Sequence, residues 1–172
     1  MVLDKLAGTD RRSTGRADEV AAEIAGDQAL FDEVFAAILF DDPVVRMRAA
    51  DAVEKASRQH PERLLPHKEA LLGAVAEIQQ QEVRWHLAQM LPRLPLDPSE
   101  QQRAVSILEG FLHDKSTIVR VNALEALAVL ARVNAELEAK VLRRLVEVLE
   151  SGAPAEKARA RMLLRDLNHS KD

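Results

Sequence analysis

A short pattern returns along this chain at a nearly fixed interval, and that recurrence limits the fold more than any single residue does. Asp42-Pro43-Val44-Val45-Arg46 leads into Ala49, Ala50, Ala52 and Val53. Val83-Arg84 leads into Leu87 and Ala88, and Val119-Arg120 into Ala123, Ala126 and Leu127. A degenerate fourth copy has Glu156-Lys157 followed by Ala160 and Leu163. The basic residues stand at 46, 84, 120 and 157, so the intervals are 38, 36 and 37 residues. A period of that size marks a unit that cannot bury its apolar face alone and must stack on its neighbours.

Within each period the apolar residues recur at three and four, the signature of amphipathic helices. Val20, Ala21, Ile24 and Ala25 predict a first helix that Gly26 stops, with Asp27 capping the next. Leu30, Phe31, Val34, Phe35, Ile38 and Leu39 mark its buried face, and Asp42-Pro43 opens the partner helix. Pro61 to Pro66 predicts a proline-broken turn leading into a stronger helix through Leu71, Leu72, Val75 and Ile78. Pro92 must end or kink the helix beginning near residue 82. Asp97-Pro98-Ser99-Glu100 has the form of a capping box, and Ser116 and Asn134 are the caps predicted for the two following helices. Four hairpins result, over roughly 27–58, 61–94, 97–132 and 134–168, all within one domain spanning 1–172. Residues 1–15, rich in Gly, Ser and like charges, predict a flexible arm, and Arg11, Arg12 and Arg16 a basic contact within it. Asn168 to Asp172 are expected to fray.

Composition agrees with closely packed helices: 47% of residues are hydrophobic but only 3% aromatic, which disfavours a β-sandwich core. A net charge of −4 gives no global attraction to nucleic acid or an anionic membrane, and no apolar run nears the ~20 residues a spanning helix needs. The absence of cysteine removes disulfides and thiolate chemistry and, with no signal-like N-terminus, leads to a cytoplasmic expectation.

The pattern Asp42-Pro43, Val45-Arg46, Ala49, Ala52-Val53 resembles the HEAT-repeat family, as do Val83-Arg84 with Ala88 and Val119-Arg120 with Ala123 and Ala126-Leu127. The chain looks like a small stand-alone bacterial-type member. The resemblance implies an all-α fold, a right-handed α-α superhelix (solenoid) of about four helical hairpins plus an N-terminal helix. It also implies a non-enzymatic binding scaffold.

The recurring Arg46, Arg84 and Arg120 read best as structural, each fork bonding to carbonyls and carboxylates at a corner of its own or the next repeat. Two, five and nine residues beyond them lies one polar helical face. It includes Arg48, Asp51, His86, Gln89, Arg93, Asn122 and Glu125, and together with Trp85, one residue beyond Arg84, these are the expected contact row for another protein or peptide. Trp85, the only tryptophan, stands beside His86 as a candidate anchor. The alternative site is the basic helix bearing Lys157, Arg159, Arg161 and Arg165. HEAT-like DNA glycosylases use a basic face with aromatic residues, so this stripe is the best case for nucleic acid; the acidic balance and few aromatics count against it. The five histidines form no i,i+4 pair and no His-Glu dyad of the kind HEAT-like metal hydroxylases rely on. No GxSxG elbow or phosphate-cradling glycine loop occurs, and no catalytic residue, metal or cofactor is expected.

Overall fold

The computed structural model describes residues 1–10 and 12–169. They form an all-α chain in which nine helices, linked by 3-10 turns and loops, pack in sequential pairs, with no strand among the described residues. The helices are α1 (Ala17–Ala25), α2 (Gln28–Ala36), α3 (Pro43–Ser57), α4 (Lys68–Leu71), α5 (Gln81–Met90), α6 (Pro98–Phe111), α7 (Thr117–Ala131), α8 (Ala135–Ser151) and α9 (Pro154–His169). Two compact units divide between Pro95 and Leu96, where the second hairpin gives way to the third.

Unit 1 is built around α3. Asp42 accepts the backbone N–H groups of Val44 and Val45 (2.8 and 3.3 Å), and Pro43 occupies the first turn, where its missing N–H costs nothing. Ala49, Ala50 and Ala52 are fully buried, so α1 and α5 can both lie close against α3. Asp27 caps α2 as expected, accepting from Ala29 and Leu30. The predicted strong helix around Leu71 is not continuous: a 3-10 turn over Pro61–His67 leads to the four-residue α4, followed by turns. Pro61 and Pro66 each remove a backbone donor, and Gly73 lowers the helix propensity of the segment after α4. Leu71, Leu72 and Val75 are nonetheless buried, because turns of either pitch keep three- and four-residue neighbours on one side. Pro92 ends α5 in a 3-10 turn over Leu91–Arg93.

The N-terminal residues are packed, where a flexible arm was expected. Val2–Lys5 form a 3-10 turn, Leu6 is fully buried, and the Lys5 amine is held by Glu19 and Glu23 of α1. Arg16, then Lys5, bring the Glu19 carboxyl down to about 2. From the basic cluster, Arg16 is thus engaged by Glu19 at 2.7 Å, Arg12 is exposed, and Arg11 lies outside the described residues. Of the tail expected to fray, Asn168 and His169 are helical, and 170–172 lie outside the described residues.

Unit 2 comprises α6 to α9, with α7 packed against α6, α8 and α9. Asp97 and Glu100 form the capping box reciprocally, at 2.9 and 2.8 Å. Asn134 caps α8 through the Leu137 N–H. Ser116 makes no side-chain cap bond; instead the Asp114 carboxylate accepts the Ser116 N–H at 2.7 Å. Val119, Ala123, Leu145 and Ala160 are fully buried at the centre.

The recurring arginines close each corner in the same way. Arg46 Nε donates to the Phe40 carbonyl, Arg84 Nε to Ile78, and Arg120 Nη1 to Asp114 (3.0, 3.0 and 2.7 Å), each six residues upstream. Arg46 also reaches Gln80, whose amide returns to the Pro43 carbonyl, and Arg120 grips Glu156 with two bonds of 2.9 and 3.0 Å. A planar fork suits this double task of closing its own corner and setting the register of the next.

Candidate functional site

The expected contact row divides between the units, and in unit 1 it is largely consumed by internal bonds. Arg48 is only 5% exposed. Its guanidinium donates to the carbonyls of Leu6 (3.2 Å), Ala7 (2.6 Å), Asp10 (3.2 Å) and Ser13 (3.1 Å), so the N-terminal strap is wound around it. Gly8 and Gly15 make that approach possible: an added Cβ would fall 2.5 Å from Arg48 Nη1 and 2.8 Å from its Cζ. Gly15 also has φ +57°, a left-handed conformation that glycine adopts without strain.

Asp51, also buried, accepts from Lys55 Nζ at 2.7 Å, and Lys55 reaches on to Asp18 of α1 at 2.5 Å. His86 of α5 stands 3.6 Å from Asp51 and 3.2 Å from Gln89. Burial pushes the His86 imidazole below its usual range, outweighing the attraction of Asp51, and the nearby Lys55 charge adds to the lowering. Glu54 is 1% exposed and bonds to Arg58 one turn on and to Arg93 beyond α5; Arg93 also donates to the Glu54 carbonyl (2.9 Å) and Ser57 Oγ (2.7 Å). Burial works against the Glu54 carboxylate, yet its two guanidinium partners win and hold its pKa below the ordinary value. Trp85 is half-buried, edge-on to His86 at 5.5 Å. Arg48, Asp51 and His86, proposed from sequence as contacts, are therefore structural, and Arg93 spends its donors on a buried acid.

The sequence reading missed Glu54 and the carbonyls of the strap. Glu54 falls one residue short of the counted offsets, although its i,i+4 relation to Arg58 was visible.

In unit 2 the equivalent face is open. Ile118, Asn122, Glu125 and Val129 share one stripe of α7, and Arg159, Met162 and Asp166 one stripe of α9. Ile118, Val129 and Met162 are 54%, 38% and 46% exposed. Asn122 donates to the Ile118 carbonyl at 2.9 Å, and Glu125 meets Arg159 at 3.5 Å across the two helices, both partly solvated. On the other side of α9, Lys157 donates to the Glu150 carbonyl, while Arg161 and Arg165 are exposed with no ion pair among the described residues. Asn122, Glu125 and the basic helix thus share unit 2, and Trp85, Gln89 and Arg93 belong to unit 1.

Among the described residues no group of three or more His, Cys, Asp or Glu side chains is placed to hold a metal, and no helix is long and apolar enough to cross a membrane. Every buried side-chain nitrogen and oxygen among them has a hydrogen-bond partner.

The HEAT repeat domain family matches residues 4–105, more than half of the chain, and the chain belongs to that family. HEAT repeats are typically protein-interaction scaffolds and generally non-catalytic. Among solved structures, the crystal structure of an engineered protein is similar at a TM-score of 0.61 and 17% identity, over 98% of this chain and 78% of that one; the likeness is one of fold. No curated protein matches the chain in sequence.

Proposed function

We propose that this chain is a non-enzymatic scaffold that binds another protein or peptide through the second-helix face of unit 2. One observation carries the reading: Ile118, Val129 and Met162 remain exposed around the Glu125–Arg159 pair, whereas Lys55 and Asp51, the unit 1 counterparts of Val129 and Met162, are bonded to each other. Apolar side chains interleaved with a weakly engaged ion pair offer buried area and a means of setting orientation. Membership of a family typically made of interaction scaffolds supports the same reading. The nucleic-acid alternative has less behind it, because Arg159 and Lys157 have partners and the net charge is −4.

The test is affinity capture from the native host, with the eluted partner then titrated against purified variants. Val129→Glu and Met162→Glu, both at exposed positions, should abolish binding with the melting temperature unchanged, and Trp85→Ala should leave it intact. Loss through Trp85→Ala alone would move the site to unit 1. Retention on duplex DNA at low salt, lost through Arg161→Glu, would favour the nucleic-acid reading.

A further inference from the structure

A second surface of unit 2 stands out when α9 is compared with α7 in repeat register. Leu124, Leu127, Ala128 and Ala131 of α7 are buried within the unit, where α8 and α9 pack on this helix. Thirty-seven residues on, α9 carries Arg161, Leu164, Arg165 and Asn168, with the two arginines exposed. The matching side of α8 stays apolar: Leu142 and Val146 meet Leu164 in a shallow depression edged by Arg143 and Glu147, and Val146 is 49% exposed. Glu147 is engaged by Arg144 at 3.1 Å, whereas Arg143, Arg161 and Arg165 have no ion-pair partner among the described residues.

This combination selects its occupant. An ordinary repeat stacked here would cover the leucines favourably but would bury guanidinium groups without counter-charges, which costs far more than the apolar area returns. A helix with carboxylates flanking its apolar stripe would cover the leucines and pair the arginines together. We propose that the α8–α9 face formed by Leu142, Val146 and Leu164 and rimmed by Arg143, Arg161 and Arg165 docks an acidic amphipathic helix of a partner protein. The surface is distinct from the one bearing Met162, which lies on a different side of α9.

The probe is a synthetic helical peptide with leucines at i, i+3, i+4 and i+7 and glutamates on both flanks; its lysine-flanked counterpart is the control. Titrated into the full chain at low salt, the glutamate peptide should bind about tenfold more tightly than the lysine peptide, the effect of roughly two rim ion pairs. Arg161→Glu with Arg165→Glu should abolish that preference, and Val146→Glu should abolish binding without lowering the melting temperature. Met162→Glu should change nothing, so a failure here is separable from a failure of the surface proposed above. Equal binding of the two peptides, no binding of the acidic one, or loss through Met162→Glu in place of Val146→Glu would overturn the proposal. So would self-association in sedimentation that Val146→Glu removes, since the cover would then be a second copy.

Discussion

Replacing Arg48 by Met keeps most of the aliphatic stem and removes the guanidinium on which the N-terminal strap is wound. The cost can be approached from two sides. The Leu6 carbonyl is bonded in a buried setting, while those of Ala7, Asp10 and Ser13 are partly open to water. Leaving one buried acceptor unmet costs about 1–3 kcal/mol, and three rehydrated bonds to a charged donor lose up to about 1 kcal/mol each, for a sum near 4 kcal/mol. The strap can instead let go, exposing Leu6 and Val2 at about 2 kcal/mol apiece, so its release caps the penalty at a similar value. Because the two routes cost about the same, the strap should detach before unit 1 unfolds. Trypsin cleavage after Lys5 and Arg12 then accelerates by a hundredfold or more, since about 3–4 kcal/mol of local protection is gone, while α3 and α5 keep slow hydrogen exchange. An unchanged cleavage rate in Arg48→Met would refute the reasoning, and so would collapse of the whole unit in a single step.

Other consequences stem from the same contacts. Arg93→Ala leaves Glu54 with Arg58 alone and should cost about 3 kcal/mol in urea unfolding, of which Glu54→Leu in the same chain recovers most. Arg120→Ala should destabilise unit 2 by about 2–3 kcal/mol because Glu156 loses both bonds to it, and Arg46→Ala should cost unit 1 less, since Arg46 bonds only neutral oxygens. For pH, His86 and Glu54 both have folded-state pKa values below their unfolded ones, so each contributes stability at high pH that is lost on acidification. Unfolding free energy should fall first below about pH 6.5, as His86 resists the proton it takes up when unfolded, and again below about pH 4.3 as Glu54 does. In His86→Gln the first fall disappears and the second remains.

How much of this was legible depends on what kind of partner each residue has. The corner role of Arg46, Arg84 and Arg120 could be read because the acceptor is local, a carbonyl six residues upstream in a recurring motif. Asp27, Asp42, Asp97 and Asn134 were legible as caps for the same reason. The polar face was also legible, but periodicity states which residues share a side and is silent on what lies opposite. Asp51 and His86 sit 35 residues apart on adjacent second helices, so the row intended for a partner satisfies itself. Arg48 was harder still, because its partners are backbone carbonyls, which leave no side-chain signature beyond the two glycines that let the strap come close. The continuous helix expected at Leu71 failed because three- and four-residue spacing fits a single helical turn followed by hydrogen-bonded turns as well as a continuous α-helix.

The central claim is that one repeated helical face is closed by internal bonds in unit 1 and open in unit 2. Hydrogen exchange of the captured complex against the free chain tests it most directly. The account predicts new protection over Thr117–Ala131 and Pro154–His169, with Gln81–Arg93 unchanged. Protection centred on Trp85 and Gln89, with α7 and α9 exchanging as in the free chain, would contradict it.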